Sequence, residues 1–202
     1  MKRLMLALVL VIAAAGSAQA ITFGFDCLAG AAGPCGVGEA QIKVEVTDAG
    51  NGMVNLVFTN TGPDSSAVRS IFFDRPDGLG KLVLGPGSGT LFKKGGKPKD
   101  LPGVPSFVDD YRFTARSPQS TNGLNPSESL TIVLKLAGGR AYADVVSALQ
   151  DGSLKIGIFM IANAPTVGEV SLVNLPNPVP EPVAAVMGGV ACLGLGLLGR
   201  RR

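Results

Sequence analysis

The chain has 202 residues, of which 46% are hydrophobic, 5% aromatic and 16% charged, with 28 glycines, no histidine and no tryptophan. That length suits one ordinary domain, and low charge with abundant glycine points to a turn-rich β protein. Without histidine the commonest general base and metal ligand is missing, which excludes serine and cysteine hydrolases of the triad type but not lysine-based variants.

The formal net charge of +3 is misleading, because Lys2, Arg3, Arg200, Arg201 and Arg202 lie at the two ends. Residues 21–182 hold 13 basic and 15 acidic side chains, a balance of −2. Nothing in that balance asks for nucleic acid as a partner.

In chain order, residues 1–20 read "MKRLMLALVLVIAAAGSAQA". A basic start, an apolar stretch too short for a comfortable membrane span, and the small-residue box Ala18-Gln19-Ala20 predict a secretory signal peptide. Cleavage after Ala20 makes Ile21 the expected mature start. Cys27 and Cys35 follow, separated by seven residues, six of them small or turn-forming. In an oxidising compartment this pair predicts a short structural disulfide loop. Two thiols are too few for structural zinc, and the spacing is not that of a C-x-x-C redox pair.

Period-2 alternation dominates residues 21–174, the expected exported domain. "QIKVEVTD" places Ile42, Val44 and Val46 on one face, and "MVNLVFTN" places Val54, Leu56 and Phe58 likewise after the turn "AGNG". The two runs predict a β-hairpin with one face buried. "AVRSIFFD", "KLVLG", "SFVDDYRFTA", "SLTIVLKLA", "LKIGIFMIA" and "EVSLVN" supply further strands. "AYADVVSALQDG" alone carries helical spacing, at Ala141, Val145, Ala148 and Leu149, with Gly152 as terminator. The expected fold is mainly β, an antiparallel β-sandwich with one short helix.

Chemistry-bearing candidates are few. Asp109 and Asp110 are neighbours on an expected strand, so they point to opposite faces and cannot form a paired acid–base site. "DRPDGLG", with Asp74, Asp77 and Gly78, lacks the alternate acid spacing of a calcium loop and reads as a surface turn. "FKKGGKPKD" gathers Lys93, Lys94, Lys97 and Lys99. It could touch an acidic polysaccharide or phosphate, and a flexible solvated loop is the plainer reading. The glycines near it precede no helix and form no phosphate-binding fingerprint. No cofactor or metal is called for, and the expectation is a protein that is not an enzyme.

From "PNPVPEP" the composition changes, with four prolines in seven residues predicting a stiff linker over residues 175–182. Residues 183–199 are seventeen uncharged residues, the lower edge of a membrane-spanning helix. Arg200, Arg201 and Arg202 then form a basic tail over residues 200–202, which the positive-inside rule keeps cytoplasmic. Val179, Pro180, Glu181 and Pro182, followed by a short apolar helix and an arginine cluster, resemble the PEP-CTERM sorting signal. That resemblance implies export in a Gram-negative bacterium and processing by exosortase, a membrane-embedded protease. It also implies inner-membrane tethering before processing, then deployment at the cell surface or in an exopolysaccharide-containing matrix. Prolines on both sides of Glu181 hold the segment extended, a form a protease can read. "FTNTGPDSSAVRSIFFD", "NGLNPSESLTIVLKL" and "YADVVSALQDGSLKIGIFMIA" are similar to segments of exported proteins bearing this tail, with a departure at Phe159, Met160 and Ile161. The leading expectation is a structural or adhesive surface protein. The alternative is a carbohydrate-binding module, by analogy with other β-sandwiches.

Overall fold

The computed structural model describes residues 20–163 and 166–178. Ala18, the motif Val179, Pro180, Glu181 and Pro182, the expected span 183–199, and Arg200, Arg201 and Arg202 lie outside the described residues. Ten strands and three helices follow one another: β1 Ile21–Ala29, α1 Ala32–Gln41, β2 Ile42–Gly50, β3 Met53–Asn60, β4 Ser66–Asp74, β5 Gly80–Ser88, β6 Phe92–Lys94, β7 Tyr111–Ala115, α2 Gln119–Asn122, β8 Ser129–Leu136, α3 Tyr142–Gln150, β9 Lys155–Asn163 and β10 Val167–Pro178. The architecture is mainly antiparallel β, as expected.

All ten strands belong to one sheet in the order β5-β8-β3-β2-β1-β10-β9-β4-β7-β6. The sheet curls until its outer strands β5 and β6 approach without pairing, so it is nearly closed. Curling is driven by the alternating faces. Ile42, Val44 and Val46 on β2 meet Val54, Leu56 and Phe58 on β3, with Val44 directly opposite Phe58. Leu130, Ile132 and Leu134 of β8 continue that face. A single curled sheet can hide it only against its own opposite wall. There Phe73 of β4 meets Phe58 edge-on at 6.3 Å and Phe113 of β7 at 6.2 Å.

The β2–β3 hairpin turns at Gly50, Asn51 and Gly52, all with positive φ of 72°, 53° and 69°, which explains the Asn-Gly sequence there. The helix α3 also lies where its spacing predicts. Asp144 accepts a hydrogen bond from the Ala141 N–H at its start, and Gly152 at φ 75° follows its end. Val145 and Leu149 enter the core, and the Tyr142 hydroxyl donates to the Val46 carbonyl at 3.2 Å.

Several expectations need correction. A second substantial helix, α1, spans "AGPCGVGEAQ", where three glycines hide any helical pattern. It is held by packing: Gly38 lies so close to Leu172 that a Cβ would sit 2.8 Å from Leu172 Cδ1. Residues 106–110 of the expected strand "SFVDDYRFTA" precede β7, which begins only at Tyr111. β10 runs to Pro178, so residues 175–178 of the expected linker are strand, paired with β1 through Phe23 opposite Pro178. Its prolines lie beyond the last β9 pairing at Val173, so they remove no donor from that ladder.

β9 is apolar throughout because both of its faces are covered. Ile156, Ile158 and Met160 point into the main core. Phe159 points outward, into a second cluster with Phe72, Leu101, Val104 and Phe107. The segment between β6 and β7 supplies the last three, at three-residue intervals, with turns closed by Val104 N–H to Leu101 O and Phe107 N–H to Val104 O. It is a strap across the outside of the sheet, pinned where Ser171 Oγ donates to the Pro102 carbonyl at 2.6 Å. The departure at Phe159 is therefore a strap contact.

Phe73 joins the two walls, so Phe73→Ala should destabilise by about 3–5 kcal/mol. Urea denaturation of the variant checks this, and a loss below about 1 kcal/mol would show that the walls do not depend on it.

Candidate functional site

The disulfide forms between the expected partners. Cys27 on β1 and Cys35 on α1 are bonded, with Cα atoms 5.5 Å apart. The bond ties α1 to the strand it follows, and Glu39 reaches back to accept from the Cys27 N–H at 3.0 Å. At the end of α1 a buried polar cluster continues the attachment. Gln41 donates to Asp64 at 2.9 Å and accepts from Ser66, and Asn60 donates to Ser66 at 2.9 Å and to the Leu124 carbonyl. Satisfied buried networks of this kind fix one arrangement of the elements they join.

Ala20 immediately precedes β1, whose first residue Ile21 pairs with Val46 of β2. The last strand ends at Pro178, one residue before Val179. Because Phe23 pairs with Pro178, the two ends of the described domain leave it side by side. Tyr142 bonds to Val46 at this end, so α3 lies there too. α1 lies at the opposite end, where Pro34 packs on Gly168 near the start of β10.

The carboxylate candidates are kept apart. Asp109 is nearly buried and forms an ion pair with Arg112 at 3.1 Å, whereas the exposed Asp110 faces Arg75 at 3.9 Å. Burial pushes the Asp109 carboxyl above its ordinary value of 3.8, against the opposing pull of Arg112. Arg112 also donates to the Gly96 and Lys99 carbonyls, at 3.0 and 2.8 Å, so it holds both ends of the strap's first turn. Asp109 is thus the counter-ion of Arg112, and the nearby Asp100 charge adds to the upward push on its carboxyl. In "DRPDGLG", Asp74 pairs with Lys155 at 3.2 Å and Gly78 adopts φ 72°, the geometry of a turn. Among the described residues no group of three or more histidine, cysteine, aspartate or glutamate side chains is assembled for a metal ion.

The basic segment is more ordered than its composition suggests. Lys93 and Lys94 lie on β6, with Lys93 opposite Thr114 of β7. Lys94 and Arg75 both lie over the Tyr111 ring, at 4.2 and 4.5 Å from its centroid. Lys97 and Lys99 follow on the turn that Arg112 holds. Arg69, which was not a sequence candidate, stands close to Lys93 and Lys97; its signal was a lone cation inside the apolar run "AVRSIFF". No helix among the described residues is long and apolar enough to cross a membrane.

No protein-family model matches this chain, and no curated protein or solved structure matches it either.

Removing the Cys27–Cys35 bond by Cys27→Ser with Cys35→Ser should cost about 2–3 kcal/mol, the loop-closure entropy of a ring this short. Urea titration of oxidised and variant chains reads it directly. A second expectation concerns pH. Because the folded state raises the Asp109 pKa, its stabilising contribution is complete below the ordinary value and is lost as pH rises through the folded value. Stability of Asp109→Asn relative to the native chain should therefore rise as pH increases from about 3 through the range in which carboxylates titrate. A flat or falling difference across that window would contradict the assignment.

Proposed function

We propose that this protein is exported, non-enzymatic, and released from a membrane tether by processing at Pro180-Glu181-Pro182, to serve at the cell surface or in the extracellular matrix. The observation that carries the reading is the position of the two processing segments relative to the sheet. The expected signal-peptide cut after Ala20 falls immediately before β1, and the Pro-Glu-Pro motif begins two residues after β10 ends. Both cuts spare every strand.

The order of the C-terminal parts supports the same reading: an extended acidic motif between prolines, seventeen uncharged residues, then three arginines. The processing partner would be an exosortase-type membrane protease that reads the extended motif beside the bilayer. A disulfide between β1 and α1 suits an oxidising compartment. Since both ends leave the domain beside α3, the tethered form would stand with α3 toward the membrane and α1 away from it. We read the curled sheet as the expected β-sandwich with its layers joined: the walls carrying Phe58 and Phe73 are the layers, and β1 is the corner between them.

Two features of the domain support the structural role in this reading. Its interior is filled by side chains, and the neighbouring carboxylates Asp109 and Asp110 are held in separate ion pairs.

The test is the intact mass and C-terminal peptide sequence of the protein from membrane and medium fractions of its native host. The expected mature species begins at Ile21 and ends near Pro182, and Glu181→Ala retains the tail in the membrane. Recovery of the native chain still carrying Arg202 would overturn the sorting reading.

A further inference from the structure

The outer wall near α1 carries a cleft of about 530 Å³ lined by Arg69, Lys93, Lys97, Thr114, Gln119 and the serines at 117 and 120. Three of these side chains are cationic and none is acidic. Such a gathering is unexpected in a domain whose overall balance is negative, and each cation is set in place by a separate structural device.

Arg69 is the extra residue of a β-bulge. Val68 pairs with Met160 and Ser70 with Phe159, leaving Arg69 without an opposite residue on β9. Bulges re-aim side chains, and this one frees a cation from an otherwise buried strand. Glu169 of β10 accepts from one terminal nitrogen of Arg69 at 2.8 Å. The Arg69 Nε has no hydrogen-bond partner and is shut away from bulk solvent. Lys93 is placed by the pairing of β6 with β7, and Thr114 opposite it is anchored through the Ser70 hydroxyl at 3.2 Å. Lys97 is placed by the turn that Arg112 clamps. There Gly96, at φ 112°, presses on Thr114 so closely that a Cβ would come within 2.8 Å of Thr114 Cβ.

We infer that this cleft binds an oxyanion, a carboxylate or phosphate group, carried on a hydroxyl-rich ligand. Glu169 offsets the Arg69 charge from one side, but no lining carboxylate faces Lys93 or Lys97, so the cleft keeps a net positive field that a negative group relieves. The serine hydroxyls and the Gln119 amide offer donors and acceptors for the hydroxyls around such a group. No aromatic ring lines the cleft, so a neutral sugar would lack the stacking surface that usually holds it. Charge is then the selecting property. The inference does not depend on processing at Pro180-Glu181-Pro182: the cleft is built from β4, β6, β7 and the residues after β7, and it stays intact whether or not the tail is removed.

The test uses the full chain in detergent, titrated by calorimetry at low salt with oligogalacturonate, with inorganic phosphate and with neutral dextran. Binding of oligogalacturonate alone identifies a sugar carboxylate as the source of the oxyanion, and binding of phosphate alone identifies phosphate. In either case Lys93→Gln with Lys97→Gln should weaken binding by about tenfold or more, and salt near 0.5 M should weaken it further. Both lysines are exposed, so the double variant keeps the native fold, which its melting temperature verifies. Failure of both anionic probes to bind, equal binding of dextran, or an unchanged affinity in the double variant would overturn the inference.

Discussion

The continuity of the sheet depends on β1. It pairs with β2 only through Ile21, Thr22 and Phe23, and from Phe23 to Ala29 it pairs with β10. On one side of it lie β2, β3, β8 and β5, and on the other β10, β9, β4, β7 and β6. Without this strand the two groups would be separate sheets meeting only through side chains. Register shifts between Phe23 and Phe25, and between Cys27 and Ala29, let it turn the corner. The disulfide then fixes its far end to α1. Because β1 needs β10, about 150 residues later, the sheet can close only when nearly all the domain is present.

Much of the fold was legible because its signal is local. β2, β3, β8 and α3 each carry their own period, and their turns carry glycine or asparagine where positive φ requires it. The missed elements depend on distant partners. β1 contains Gly24 and Cys27, and its alternation is broken by the same bulges that let it serve two neighbours. α1 has weak intrinsic helix preference, with Gly33, Pro34, Gly36 and Gly38 in ten residues. Its tertiary attachments justify it: the disulfide, the close approach to Leu172 and Met160, and the hydrogen bonds of Glu39 and Gln41. The strap looked like the start of a strand because Phe107 and Val108 are apolar. Yet Phe107 covers the outside of β9, and Val108 is exposed. Reading two one-sided sheets from the sequence was reasonable, since the corner strand left no clear trace.

The candidate sites divide differently. The proposed sorting motif is a matter of residue order, so its reading rests on the sequence alone. The oxyanion cleft is the reverse. Lys93 and Lys97 stood out as a basic run, but a basic run is usually a solvated loop. What changes its meaning is Arg69, 24 residues before Lys93, brought beside it by β4 and β7 and turned outward by a bulge. Net charge concealed this, because a count over residues 21–182 cancels cations on one wall against acids on others. Asp109 and Asp110 illustrate the same point from the acidic side. Each is consumed by an arginine, so neighbouring carboxylates become separate counter-ions.

The two proposals meet in the geometry of the domain's ends. β10 begins beside α1 and ends beside α3, paired there with the first residues of β1. A tether attached after Pro178 would therefore hold the α3 end nearest the bilayer. Arg69 and Glu169 mark the level of the cleft on the strands, near the start of β10 and so toward the α1 end. The spacing between Glu169 and Pro178 along a strand is about 30 Å, at roughly 3.3 Å per residue. That is about three Debye lengths at 0.1 M salt. Headgroup charge at such a tethered end would thus be largely screened at the cleft, and under the proposed processing an anionic ligand could be bound there before the tail is cut as well as after. Processing would change where the domain is held without changing what the cleft can hold.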